Sequence, residues 1–173
     1  MPKMWCDEEM VQTGLRPIRL PGLVINGSVL PAPLAGYTDS AFRTVMKRYG
    51  APLVYTEMLS AGGIIKDFAG SKQYLKRREE EGLVGYQLVG KEVRWMVESA
   101  KICESAGASL IDINAGCTDL NVKKQGGGAA LLKDPHTLWN IVKSVSREVS
   151  VPVTCKLRIP QREWKVDLLG IAL

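Results

Sequence analysis

Asp112-Ile113-Asn114-Ala115-Gly116-Cys117 is the stretch on which the reading of the fold turns. It leaves the apolar run Leu110–Ile113 and passes through small polar residues to a thiol. A strand that ends this way suits the carboxyl edge of a parallel sheet, where α/β folds place their sites. The same rhythm repeats outward. Strand-like runs occur at Val29–Ala32, Leu53–Thr56, Leu83–Leu88, Leu110–Ile113 and Val151–Leu157. Upstream, Leu23-Val24-Ile25 and Val29-Leu30 flank Asn26-Gly27, which predicts a hairpin because both turn positions tolerate positive φ. Residues 1–22 show no clear period and are read as an extension of uncertain order.

Helical segments lie between the strands. Thr38–Tyr49 opens on a Thr/Asp/Ser cap cluster and closes at Gly50. Lys91–Ala106 puts Val93, Met96, Val97, Ala100 and Cys103 on one face, with Gly107 as the stop. Asp134–Val149 starts with an Asp cap followed by proline, and its stripe is Leu138, Ile141, Val142 and Val145. Residues 58–79 are read as short helices. Strands alternating with helices of this length imply βαβ units and a parallel sheet, either open or closed into a barrel.

The chain has 173 residues, enough for one domain with a core. Hydrophobic content is 46% and charged content 24%, ordinary for a globular protein. No apolar run approaches the roughly 18–20 residues of a membrane span. Asp7, Glu8 and Glu9 near the start argue against a secretory signal. The four cysteines show no CxxC or CxxH spacing, which speaks against zinc or a disulfide framework and for a reducing compartment. No metal site and a cytoplasmic location are therefore expected. The net charge of +5 is compatible with a nucleic-acid partner. Lys76–Glu81 mixes both signs and is read as a solvated helix end.

The residues able to do chemistry fall after the strands. They are Pro33-Leu34-Ala35-Gly36, Glu57-Met58, Gln87, Asn114 with Cys117, and Lys156 with Arg158. In a parallel architecture these share one face, which points to an enzyme. A loop thiol beside cations can be exposed and reactive, whereas Cys103 on a core stripe and Cys155 inside a strand read as buried hydrophobes. Gly126-Gly127-Gly128 fits neither the Walker pattern nor GxGxxG and reads as a flexible turn. His136, the single histidine, sits in the first turn of a helix and is read as solvated, so no histidine triad is expected.

Taken in order, these residues resemble the tRNA-dihydrouridine synthases over roughly residues 23–173. The resemblance rests on Ala32-Pro33-Leu34-Ala35-Gly36-Tyr37-Thr38-Asp39 with Phe42-Arg43, Thr56-Glu57-Met58, Gln87, Asp112–Cys117, Gly128–Leu132 and Val153–Arg158. It implies a TIM-type (β/α)8 barrel with FMN at the strand carboxyl ends, followed by a helical tRNA-binding domain. It also implies reduction of uridine in tRNA to 5,6-dihydrouridine, with NADPH or NADH as reductant. By position, Pro33, Leu34 and Ala35 would line the flavin through backbone contacts. Gln87 would bond the isoalloxazine edge, and Lys156 would face the reduced ring. Asn114 and Arg158 would serve the substrate. Cys117 would be the general acid that protonates C5 of uracil as hydride reaches C6, a role a mostly protonated thiol suits.

Two features depart from the family pattern. Thr118 stands where the family usually has a proline after the cysteine. The sequence also stops in a helix-like stretch from Trp164 to Leu173, after about five of eight strands. The expectation is thus a barrel truncated before the family's active-site histidine, phosphate loops and tRNA-binding domain. Self-association through exposed strand edges is expected in that case. Another FMN barrel, such as a dihydroorotate dehydrogenase, and a non-catalytic remnant are the alternatives.

Overall fold

The computed structural model describes residues 16–159. The expected helix at Trp164–Leu173 lies outside them. The chain opens on an antiparallel hairpin, β1 (Ile18–Leu20) with β2 (Leu23–Ile25). Four parallel strands follow in spatial order β3 (Val54–Ser60), β4 (Val84–Val89), β5 (Leu110–Ala115), β6 (Val153–Leu157). Helix α1 (Ser40–Arg48) precedes β3. Between β3 and β4 come α2 (Ala61–Lys66), the single turn α3 (Phe68–Ser71) and two 3₁₀ turns. Helix α4 (Val93–Ser105) joins β4 to β5. The short α5 (Leu120–Lys124), a 3₁₀ turn at Gly128–Lys133 and α6 (Pro135–Glu148) join β5 to β6. Sequential parallel strands joined through helices are the repeating unit of a β/α barrel.

The caps explain where the long helices start and stop. Asp39 accepts from the Phe42 amide at the head of α1, and Asp134 from the Thr137 amide at the head of α6. Pro135 opens α6, where a missing N–H costs nothing. Gly107 follows α4 with φ of 93°, a conformation that Cβ-bearing residues resist.

Two places differ from expectation. The hairpin turns at Pro21-Gly22 rather than Asn26-Gly27, with Leu20 opposite Leu23. Gly22 has φ of 73°, and proline before it pre-sets the turn. Val29–Ala32 forms no strand. Pro31 and Pro33 remove ladder donors there. Gly27 is instead buried against Pro52, whose ring carbon would lie 3.0 Å from an added Cβ. The second difference is Lys76–Glu81. Glu81 is fully buried and paired with Arg43 at 2.7 Å, so this tract is in part a structural clamp.

The sheet has two unlike faces because strand side chains alternate. Tyr86, Leu88, Ile111 and Ile113 pack with Met96, Ala100 and Cys103 of α4 and with Leu138, Ile141 and Val145 of α6. Each fully buried aliphatic there contributes about 1.5–3 kcal/mol. The Tyr86 hydroxyl donates to the Leu75 carbonyl at 2.7 Å, fastening the 3₁₀ turn to β4. The opposite face starts apolar, where Leu53, Leu83 and Leu110 meet Ile18, Leu20, Leu23 and Ile25 of the hairpin. It then turns polar toward the strand carboxyl ends. The hairpin thus plugs the floor of this face and leaves its upper part open to chemistry.

Gly85 shows how tightly the floor is filled. A Cβ on it would lie 2.6 Å from the Tyr55 ring and 3.0 Å from Leu110. Gly85→Ala is expected to destabilise the fold by about 1–3 kcal/mol, read as an earlier denaturant midpoint. An unchanged midpoint would mean that the Tyr55 ring shifts freely.

Candidate active site

The polar half of the inner face is built from β3–β6 in register. Gln87 stands beside Asp112, and Asp112 beside Thr154. One level higher, Asn114 stands beside Lys156. Strand β3 reaches the same face through an irregularity between Tyr55 and Met58 that absorbs an extra residue. Met58 rather than Glu57 therefore lines up with Gln87. Glu57 turns to the loop before α1, where its carboxylate accepts from the Gly36 amide. That bond brings Pro33-Leu34-Ala35-Gly36 to the strand ends without a preceding strand.

Hydrogen bonds run continuously through this face. Gln87 Nε2 donates to Asp112 Oδ2 at 2.6 Å, and the Thr154 hydroxyl to Asp112 Oδ1 at 2.7 Å. Asn114 Nδ2 donates to Gln87 Oε1 at 2.8 Å and approaches Met58 Sδ at 3.4 Å. Asn114 Oδ1 accepts from the amides of Gly116 and Cys117 at 3.1 and 2.9 Å. Among the described residues, no buried side-chain nitrogen or oxygen lacks a partner. Burial pushes the Asp112 carboxyl up from its ordinary value, against the opposing pull of the Gln87 and Thr154 hydrogen bonds and the Lys156 charge. Burial, with help from Asp112, pushes the Tyr55 hydroxyl up to about 12.

Cys117 leaves the top of β5 in a half-buried loop held on both sides of its backbone. Asn114 takes its amide, and the Ala129 amide donates to its carbonyl at 2.8 Å. Gly128 makes this approach possible. Its φ is 58°, and a Cβ there would lie 2.7 Å from the Cys117 oxygen. The glycine run is therefore a close-packed support, not only a flexible turn. Arg158 Nη1 donates to the Gly116 carbonyl at 3.3 Å, so it braces the same loop.

The other sequence-predicted residues sort by geometry. Gln87 is buried, with one amide atom on Asp112 and the other on Asn114. Lys156 is exposed at the strand end. Leu34 has already committed its backbone N–H and C=O to Thr38. Pro33 and Ala35 flank it on the same loop. Cys103 is buried on the helix face, and Cys155 lies in β6 on that face. His136 is exposed on α6 beside Asn140. Asp112, Thr154 and Gly128 have parts in the site that sequence reasoning did not assign. Only the lateral register of parallel strands reveals the first two.

The four parallel strands are those of a β/α barrel, and their polar side chains gather toward the strand carboxyl ends. The family model described as dihydrouridine synthase (Dus) matches residues 30–172. A probable tRNA-dihydrouridine synthase of Treponema pallidum is 38% identical over 159 residues, which is 86% of this chain and 47% of that protein. The tRNA-dihydrouridine synthase B of Shewanella oneidensis is 38% identical over 151 residues, with the same two coverages. The chain belongs to the dihydrouridine synthase family. It spans about half the length of the curated relatives it matches. A solved structure of histamine dehydrogenase from Rhizobium sp. 4-9 superposes with a TM-score of 0.63 at 14% identity, over 87% of this chain and 34% of that one, a likeness of fold. No helix among the described residues is long and apolar enough to cross a membrane.

Proposed function

We propose that this segment holds FMN at the carboxyl ends of its strands and reduces uridine in tRNA to 5,6-dihydrouridine, with Cys117 as proton donor and NADPH or NADH as reductant. The observation that carries the reading is Cys117 itself, half-buried at the open end of β5 with both sides of its backbone fixed. The donor set fits a flavin. Gln87 is an uncharged amide at the polar level of the inner face, with a second Nε2 hydrogen beyond the one given to Asp112, and Lys156 is a cation at the strand ends above it. On the loop at 33–36 the Leu34 backbone and the Gly36 amide are engaged, which leaves the backbone of Pro33 and Ala35 to face a ligand beside β3. Bound there, the reduced flavin would supply the hydride for C6 of uracil.

The chain's own residues do the rest. The Cys117 thiol gives its proton to C5, which completes the addition of hydrogen across the C5–C6 double bond. Lys156 offsets negative charge on the reduced ring. Asn114 acts through the cysteine loop, since its polar atoms are already engaged. The uracil must leave the RNA stack to reach the thiol.

A groove of about 740 Å³ next to Met58 supports an RNA substrate. Lys66, Lys91 and Lys124 line it together with Trp95, over which the Lys66 ammonium sits 4.9 Å from the ring centroid. Cations interleaved with an aromatic suit a single strand, whose phosphates and bases need both. Changing the three lysines to glutamate is expected to weaken tRNA binding. The slope of log affinity against log salt should shrink by roughly 2 to 3, at about 0.7–0.9 per lost phosphate contact. A filter-binding salt titration measures this, and an unaltered slope would move the RNA path elsewhere. The reading as a whole is tested by supplying FMN, NADPH and an unmodified tRNA transcript and assaying for dihydrouridine. A protein that neither binds flavin nor forms dihydrouridine would refute it.

A further inference from the structure

The polar residues beneath Cys117 form one line of hydrogen bonds, and the line has a direction. At its upper end the amides of Gly116 and Cys117 converge on a single atom of Asn114, at 3.1 and 2.9 Å. Backbone amides only donate, so that atom is the side-chain oxygen. Asn114 must then turn its nitrogen to Gln87, and Gln87 its nitrogen to Asp112. At the lower end an ionised carboxylate only accepts, and its second oxygen already holds the Thr154 hydroxyl. The two ends call for the same direction, so the line is satisfied only with an acceptor at its foot. All three linked side chains are at least nine-tenths buried, where a mis-turned amide would face a like group without water to relieve it.

We propose that Asp112 is a positioning residue: its carboxylate sets the direction of the Gln87 and Asn114 amides and thereby holds the loop that aims the Cys117 thiol. Asp112 and the loop are separated by two side chains, so it acts through them and touches no reacting atom. The loop's carbonyl side is held separately by Ala129 and its neighbour by Arg158. The relay therefore governs the amide side. The catalytic meaning of this inference rests on the proposed role of Cys117, but the positioning itself can be read on the thiol without turnover.

The test reverses the line. Asn114→Asp keeps an acceptor for the two loop amides and nearly the same shape. It also leaves Gln87 between two carboxylates, with only one end able to donate. The double variant Asp112→Asn, Asn114→Asp restores each bond of the line with the direction inverted and gives up only the 3.4 Å contact of the Asn114 amide with Met58 Sδ. The new amide keeps its oxygen on Thr154 and gives its nitrogen to Gln87, which turns over and donates to the new carboxylate. Two readouts are taken on the full chain. One is the thermal midpoint. The other is the rate of Cys117 alkylation by iodoacetamide, followed by peptide mass spectrometry across a pH series, with each variant compared at its own plateau rate.

Asn114→Asp is expected to lower the midpoint by about 2–4 °C and to change the alkylation rate about fivefold or more, within the range of coupled neighbours. The double variant should return both close to the parent values. A single variant indistinguishable from the parent, or a double variant no better than the single one, would overturn the proposal. Should Asn114→Asp fail to fold, a folded double variant supports the relay and an unfolded one refutes it. Full uridine reduction in Cys117→Ser would refute the acid role while leaving the alkylation and midpoint results on Asn114→Asp and the double variant intact, so the two readings fail separately.

Discussion

Replacing Cys117 by alanine is expected to lower the rate of uridine reduction by roughly two to four orders of magnitude, the usual contribution of a placed general acid. Flavin and tRNA should still bind. The loop does not depend on the sulfur for its shape, because Asn114 holds its amide and Ala129 its carbonyl. The side chain is only half-buried, so truncation leaves little cavity. No other described thiol can take over. Cys103 is sealed on the buried face of α4, and burial pushes its thiol up to about 12, as it does that of Cys155. Single-turnover formation of dihydrouridine on a tRNA transcript measures the effect. Unchanged turnover would place the proton source elsewhere.

The second large effect falls on stability. Arg43→Ala is expected to cost about 3–5 kcal/mol, because it strands a buried carboxylate. Arg43 Nε pairs with Glu81 Oε2 at 2.7 Å, and both side chains are almost fully covered. The guanidinium also donates to the carbonyls of Thr38 at 2.9 Å and Lys76 at 3.0 Å. Glu81 in turn receives the Ser40 hydroxyl and the Arg78 amide at 3.1 Å. One ion pair thus joins the head of α1 to the whole 76–81 tract. Denaturant unfolding should show the loss, and Arg43→Lys should recover little, since an ammonium cannot reproduce the fork. A midpoint within about 0.5 kcal/mol of the parent would show that water or relaxation satisfies Glu81.

Much of this was legible in the sequence because it depended on local chemistry. The Asp caps, the stop at Gly107 and the stripes of α4 and α6 follow from spacing alone. So does the gathering of Gln87, Asn114, Cys117 and Lys156 at one end of a parallel sheet. Features set by long-range packing were not legible. Asn26-Gly27 has hairpin chemistry, but prolines at 31 and 33 deny it a second strand, and Pro21-Gly22 takes the turn. The mixed charges of Lys76–Glu81 look solvated until Arg43, distant in sequence, claims Glu81. Gly128 reads as a flexible turn because nothing near it in sequence reveals that Cys117 lies against it.

The irregularity in β3 bears on how this protein can be recombined. One additional residue between Tyr55 and Met58 decides that Met58 faces Gln87 and that Glu57 faces the 33–36 loop. Strand periodicity makes that choice all-or-none. A chimera joined to a relative within these residues must conserve the count between them, whatever its identities. Deleting one would close the irregularity: Met58 would stay level with Gln87, and the single residue left before it would turn to the helix-packed face, away from Gly36. Crossovers are better placed on the exposed stretch at Lys91-Glu92, where the chain has left β4, with a downstream parent that keeps Asp112 and Asn114 as partners for Gln87.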